Sequence, residues 1–288
     1  MRVEDYHAIV QSALNEDLAD LGDITSRSAV PEGSKSRGEI VARERGVIAG
    51  LDVAGYVFRL VDPDVAFDAR RTDGDRVDTG SVVATVDGPS RSILTAERTA
   101  LNLLGRMSGV ATATAELVEA VAGTGARITD TRKTMPGLRV LDKHAVVAGG
   151  GVNHRMGLYD QVMIKDNHIA AAGDIDQAVA AVRDSLGDDV RVTVEVEDLD
   201  QLSIVLETSA NRVLLDNMTP EMLRRAVAMV DGAMETEASG GVKPDTIRAI
   251  AESGVDYISV GWITHSAPQV DLALDFVGSL RRQHGGTS

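Results

Sequence analysis

The 288-residue chain contains no cysteine, which excludes disulfides, thiolate metal sites and a cysteine nucleophile. Aromatics are scarce, with one Trp, four Tyr and three Phe, too few for a base-stacking surface. Positive charge is also short: 29 Lys and Arg stand against 44 Asp and Glu, a net charge of −15, the opposite of what a nucleic-acid binder carries. No apolar run approaches the roughly 18 residues of a membrane span, so no membrane partner is expected. The first residues lack the basic-then-apolar layout of a signal peptide, and the expected compartment is the cytoplasm. Neither a G-x-G-x-x-G nor a Walker A fingerprint is present, which argues against a Rossmann dehydrogenase or P-loop kinase. No H-E-x-x-H pairs the histidines for zinc.

What is present divides in two. Apolar spacing through Val3, Tyr6, Val10 and Leu14 predicts a helix over 3–18. Short β-like runs follow to about Ser92, among them 39–43, 46–50, 65–67 and 81–86, with Asp-Gly turns between them. They predict a small α+β domain. Thr95 reads as the N-cap of the next helix, and Gly105 and Gly109 predict that it breaks in two before Val121. From 127 onward β-like segments (127–133, 161–166, 190–197, 211–216, 233–237, 256–261) alternate with helical ones (175–182, 199–206, 220–230, 244–252). This alternation implies parallel strands with right-handed crossovers. Six strands are clear and a seventh is possible near 140–150, so the expected fold is an incomplete parallel α/β barrel.

Polar residues cluster where those strands end: Arg132-Lys133, Lys165-Asp-Asn-His168, Glu195 and Glu197, Asp216-Asn217, Glu237-Ala-Ser239-Gly240-Gly241, and Gly261-Trp-Ile-Thr-His265. In a parallel barrel these ends share one rim, where loops build the active site. Between Thr131 and Lys165 lie six basic residues (Arg132, Lys133, Arg139, Lys143, Arg155, Lys165) and two acids, Asp142 and Asp160. His144, His154 and His168 fall in or beside the same stretch. A basic pocket in so acidic a chain predicts a polyanionic ligand, a phosphate ester or dicarboxylate. The alternation Thr193-Val-Glu195-Val-Glu197 turns both acids to one face, where a cation must answer them, and Lys165 is the candidate. The late glycines, Gly240, Gly241 and Gly261, suit a phosphate loop. Lys165 as the Schiff-base nucleophile of a lyase, and a non-catalytic sensor of phosphorylated metabolites, are the competing readings.

Thr131-Arg-Lys-Thr-Met-Pro-Gly-Leu-Arg, Lys143-His-Ala-Val-Val-Ala-Gly-Gly-Gly-Val-Asn-His-Arg-Met-Gly-Leu and Ile164-Lys-Asp-Asn-His resemble the signature of the quinolinate phosphoribosyltransferases. Gly22-Asp-Ile-Thr-Ser, Leu94-Thr-Ala-Glu-Arg-Thr-Ala-Leu-Asn, Leu214-Leu-Asp-Asn, Glu237-Ala-Ser-Gly-Gly and Val260-Gly-Trp-Ile-Thr-His-Ser extend the resemblance over nearly the whole chain. The resemblance implies an N-terminal α/β sandwich domain over 1–108, joined by a C-terminal segment, 268–288, and a barrel over 109–267. It implies a pentosyltransferase that joins quinolinate to phosphoribosyl pyrophosphate with decarboxylation, for NAD biosynthesis, using Mg2+. A barrel phosphoribosyltransferase acting on another aromatic acid is the alternative. By the same resemblance Arg132, His154, Arg155 and Lys165 bind quinolinate, Thr131 is among the substrate-binding residues, and Arg98 reaches that site from the second subunit of a homodimer. Lys133 meets substrate phosphates or carboxylates, and Glu195 and Asp216 serve the ribose and the metal. Ser239, Gly240, Gly241, Gly261 and His265 hold the 5′-phosphate; Lys133, Lys165, Glu195 and Asp216 form the catalytic set. Trp262 departs from the small residue that the family carries there, and must point away from the phosphate loop.

Overall fold

The computed structural model describes residues 1–277. The remaining stretch, 278–288, which the sequence assigns to the joining segment, lies outside the described residues. In chain order the elements are α1 (Val3–Leu18), α2 (Ile24–Ala29), β1 (Lys35–Ala42), β2 (Gly46–Val47), α3 (Leu51–Val61), β3 (Ala66–Ala69), β4 (Arg76–Val77), β5 (Val82–Pro89) and α4 (Ser90–Ala120). They continue with β6 (Arg127–Thr129), α5 (Arg139–Ala148), β7 (Val162–Ile164), α6 (Asp166–Ala172), α7 (Ile175–Leu186), β8 (Val192–Val196) and α8 (Leu199–Val205). The last are β9 (Arg212–Asp216), α9 (Pro220–Val230), β10 (Glu235–Ser239), α10 (Ile247–Ala251), β11 (Tyr257–Ser259), α11 (Trp262–His265) and β12 (Leu272–Phe276). The chain forms two compact units: Met1–Thr112 with Val140–Ala148 and the segment from Ala267, and Ala113–Arg139 with Gly149–Ser266.

The first unit is built on a four-stranded antiparallel sheet in the order β12-β1-β5-β3. The C-terminal strand thus joins the N-terminal sheet, with Gly38 opposite Phe276 and Ala42 opposite Leu272. Helix α1 buries Tyr6, Val10 and Leu14, one residue per turn, and Tyr6 meets Tyr56 of α3 edge-on at 5.4 Å. Phe58 of α3 stacks on Phe67 of β3 at 5.9 Å.

Helix α4 differs from its expected course at both ends of the argument. It starts at Ser90, directly after Pro89, and Thr95 lies inside it rather than capping it, its hydroxyl bonded to the Arg91 carbonyl one turn back (2.8 Å) and to Asp23 (3.1 Å). Nor do the glycines break it. A Cβ on Gly109 would stand 1.9 Å from the Pro268 carbonyl oxygen, and one on Gly105 would stand 2.9 Å from that of Val270. Both glycines let the C-terminal segment lie against the helix, and the Val270 amide donates to the Gly105 carbonyl (3.0 Å).

The second unit carries a six-stranded parallel sheet in the order β6-β11-β10-β9-β8-β7. β6 and β7 are its two edges, so the barrel is incomplete, as the alternation predicts. The strands are apolar on the helix-facing side: Val192, Val194, Val196, Val213 and Leu215 are fully buried. Each such side chain contributes about 2 kcal/mol. A seventh strand is not found at 140–150. That stretch is α5, because Leu141, Ala145 and Val146 recur at helical spacing and are buried with Asp142, which pairs with Arg106 (2.8 Å). By compactness 140–148 also belongs to the first unit rather than to the barrel. What extends the sheet is a single parallel bridge between Val152 and Thr129.

Candidate active site

The six parallel strands point their carboxyl ends the same way, and a cavity of about 420 Å³ opens there. Each strand delivers polar residues to it. The loop after β6 brings Thr131, Arg132 and Lys133, and Lys165 follows β7 directly. β8 brings Glu195, β9 Asp216, β10 Ser239 and Glu237, and β11 Ser259. His154 and Arg155 enter from the segment between α5 and β7, while Met163 and Leu214 supply apolar wall. The register explains the convergence: Glu195, Leu214 and Glu237 are direct neighbours across β8, β9 and β10, and Asp216 is paired with Ser239.

Lys165 Nζ donates to Glu195 Oε2, so the cation expected to answer that carboxylate does stand beside it. Glu197 does not share the cavity. It lies past the end of β8, exposed, with its amide held by Gln201 (2.9 Å). Arg132 has a buried Nε–H with no acceptor among the described residues, which leaves that donor for an anion. Burial, and after it the like charge of Arg132, pulls the Arg155 guanidinium below its ordinary pKa. Burial acts to raise the Glu237 carboxyl, but its interactions with His154 and Arg212 outweigh that and hold it below the usual carboxylate value.

Of the expected phosphate residues Ser239 lines the cavity, whereas Gly240, Gly241, Gly261 and His265 are not on its wall. Gly240 adopts φ +90 and a Cβ there would stand 2.1 Å from Asn217 Oδ1, so this turn admits no side chain. The methylenes of Lys133 cross Gly261, where a Cβ would meet Cδ at 3.0 Å. His265 is exposed and shares a hydrogen with Ser266 Oγ (2.6 Å), and Gly241 is likewise off the wall. Trp262 opens α11, partly buried, and takes no part in lining the cavity. Arg98 stands on α4 in the first unit, where it lines a smaller hollow with Asn102 and Gln269.

Two residues that the sequence placed in these stretches without a role, Glu237 and Arg139, gain one from the structure. Glu237 sits on β10 with the same alternation, Glu235-Thr-Glu237-Ala-Ser239, that gave Glu195 away on β8. Arg139 tethers the two basic loops: its guanidinium donates to Thr134 (2.9 Å) and to the carbonyls of Arg132 and Met156 (3.2 Å each).

Models of the quinolinate phosphoribosyl transferase N-terminal and C-terminal domains match residues 23–108 and 110–275. The chain belongs to the quinolinate phosphoribosyl transferase family. Among its relatives, the quinolinate phosphoribosyltransferase [decarboxylating] 1b of Nicotiana tabacum is 42% identical over 94% of this chain and 82% of its own. The probable nicotinate-nucleotide pyrophosphorylase [carboxylating] of Bacillus subtilis is 42% identical over 88% of each. The crystal structure of the nicotinate-nucleotide pyrophosphorylase from Francisella tularensis superposes with a TM-score of 0.92 at 38% identity, covering 96% of this chain and 98% of that one. Among the described residues no helix is long and apolar enough to cross a membrane.

Proposed function

We propose that this chain transfers the phosphoribosyl group of phosphoribosyl pyrophosphate to the ring nitrogen of quinolinate, releasing pyrophosphate and carbon dioxide and leaving nicotinate mononucleotide for NAD synthesis. The observation that carries the reading is one cavity into which all six parallel strand ends bring charged or hydroxyl side chains, basic ones foremost, in a chain of net charge −15. Both substrates are polyanions, so their approach is repulsive until fixed cations meet them. Arg132, Arg155 and Lys165 bind the two quinolinate carboxylates, the guanidiniums in bidentate fashion, and so aim the ring nitrogen. Lys133 faces the departing pyrophosphate. The new bond forms from ring nitrogen to the anomeric carbon as the bond to pyrophosphate oxygen breaks. Positive charge that builds on the sugar is met by Glu195 and Asp216. The ring nitrogen is then cationic, and it stabilises the electron pair left on the neighbouring carbon when carbon dioxide departs; a proton from solvent completes the product.

Glu195 and Asp216 are also the residues that would hold Mg2+. Among the described residues no three His, Asp or Glu side chains form a complete metal site, so substrate oxygens would fill the shell, the usual arrangement for this ion. Bound there, the ion supplies charge neutralisation at the leaving group. Glu195→Gln is expected to lower kcat by about a hundredfold with a smaller change in KM. A wild-type turnover number would reduce Glu195 to a structural partner of Lys165.

The proposal includes a homodimer in which Arg98 reaches the cavity of the second subunit. Arg98→Ala should raise the KM for quinolinate by about tenfold and leave the unfolding midpoint in place; an unchanged KM removes Arg98 from the site. A cytoplasmic enzyme is part of the same reading. Relatives from tobacco and rice bear mitochondrial and chloroplastic names, and cell fractionation decides the compartment. The deciding assay is formation of nicotinate mononucleotide from quinolinate, phosphoribosyl pyrophosphate and Mg2+. Label released as carbon dioxide from carboxyl-labelled quinolinate separates this substrate from another aromatic acid, and binding without product would indicate a sensor.

A further inference from the structure

Beneath the cavity lies a charged chain that the proposed chemistry does not use. Arg212, at the start of β9, is buried and donates to two acids of β10, to Glu235 through Nε (2.9 Å) and Nη2 (2.8 Å) and to Glu237 through Nη1 (2.7 Å). Its guanidinium is fixed further by Tyr257, lying 3.8 Å from the ring centroid, with Arg127 over the same ring at 4.3 Å. Glu237 is fully buried. One carboxylate oxygen, Oε2, takes the Arg212 bond and stands 3.4 Å from His154 Nε2; the other, Oε1, has no hydrogen-bond partner among the described residues. Such a carboxylate is costly, and an apolar residue of similar volume would be at least as stable. Its presence asks for a role.

The imidazole of His154 shows one. Its Nδ1 accepts the backbone N–H of Arg155 (2.6 Å), so the neutral ring carries its proton on Nε2, the atom that faces Glu237. The backbone of His154 is held too, its N–H donating to Asp130 Oδ1 (2.8 Å). The imidazole therefore sits as a strut between a buried acid and the start of Arg155, whose guanidinium donates to the Gln161 carbonyl (3.3 Å) and lines the cavity.

We propose that Arg212 and Glu237 form a charged brace that fixes the His154 ring, and through it Arg155, in the orientation that receives a substrate carboxylate. Both are positioning residues; neither need touch substrate. The proposal rests on the reading of the cavity as the quinolinate site; it gives a role to Glu237 on the cavity wall and adds Arg212 behind it. The charged groups around the strut come from every neighbouring element: Asp130 from the end of β6, Glu237 from β10, Arg212 from β9, and Arg155 from its own segment, with Lys165 and Glu195 further along the wall.

Glu237→Gln, which keeps shape and removes charge, is the test. The KM for quinolinate should rise about tenfold while kcat and the KM for phosphoribosyl pyrophosphate stay within about twofold, the size and pattern expected of a residue that orients a binding group. Arg212→Lys, which preserves the counter-charge, should show a smaller rise. Nitrogen NMR of histidine-labelled protein reads the strut without any substrate. His154, assigned by its loss in His154→Gln, should show one protonated nitrogen at Nε2 in the wild type and a mixture of tautomers in Glu237→Gln. A proton on Nδ1 in the wild type overturns the brace, and so does an unchanged quinolinate KM, or a fall in kcat and both substrate affinities together with the unfolding midpoint. If Glu237→Gln does not fold, the wild-type spectrum and Arg212→Lys still decide. If the wild type makes no nicotinate mononucleotide the functional reading fails, while the spectrum judges the brace separately.

Discussion

Lys165→Met should cost about a thousandfold in kcat/KM, close to 4 kcal/mol of transition-state stabilisation, with little loss of fold. Two effects add. The cavity loses a cation from its wall, and Glu195 loses the ammonium that answers it. The Lys165 side chain is 39% exposed and follows the strand rather than lying within it, so the unfolding midpoint should move by only a degree or two. Glu195, 16% exposed, feels the loss more. In the double variant Lys165→Met with Glu195→Gln, stability should therefore recover fully while activity stays lost. Calorimetry with quinolinate alone separates binding from chemistry: affinity should drop by tenfold or more. Retention of near-normal kcat/KM in Lys165→Met would remove the cradle from the mechanism.

Gly109→Ala carries the largest expected effect on stability, about 3 kcal/mol, and its sign is the informative part. In an exposed helix interior this change stabilises by about 1 kcal/mol, because alanine is the better helix former. Here the added carbon would lie 1.9 Å from the Pro268 carbonyl oxygen and 2.9 Å from its carbon, both backbone atoms that no rotamer change can move aside. The C-terminal segment must back away from α4, and the pairing of β12 with β1 goes with it. Gly105→Ala, at 2.9 Å from the Val270 carbonyl oxygen, should lose less. Urea midpoints check both; a midpoint raised by either substitution contradicts the close approach.

The contrast between these sites shows what the chain discloses by itself. The helix over 220–230 was legible to the residue, since Thr219 caps it, Pro220 opens it and Leu223, Ala226 and Val230 recur on the buried side. The basic cavity was legible because a parallel barrel gathers strand ends, and Arg132, Lys133, Lys165, Glu195 and Asp216 all occupy such ends. Gly105 and Gly109 misled because a local rule, glycine weakens helices, was overruled by a partner more than 150 residues away. Two adjacent valines and a glycine run made α5 look like a strand, and only its pairing of Asp142 with Arg106 shows why the helical face could be charged. Glu237 was named among the strand ends but given no role for a similar reason: its partners, Arg212 and His154, are ones that local periodicity cannot bring beside it.

The sheet edges β6 and β7, which do not pair with each other, have a consequence for how this site can change. A closed barrel locks strand number, stagger and tilt to one another, so altering one staggers all. Here the stretch 130–161 runs from one edge to the other with a single bridge at Val152 as its only ladder contact, and it carries Arg132, Lys133, His154 and Arg155. Lengthening it outside the buried helix α5 costs mainly loop-closure entropy, about 0.6 kcal/mol for each doubling. The loops that carry Arg132 and Lys133 can thus change length while the strands that hold Glu195 and Asp216 keep their rungs.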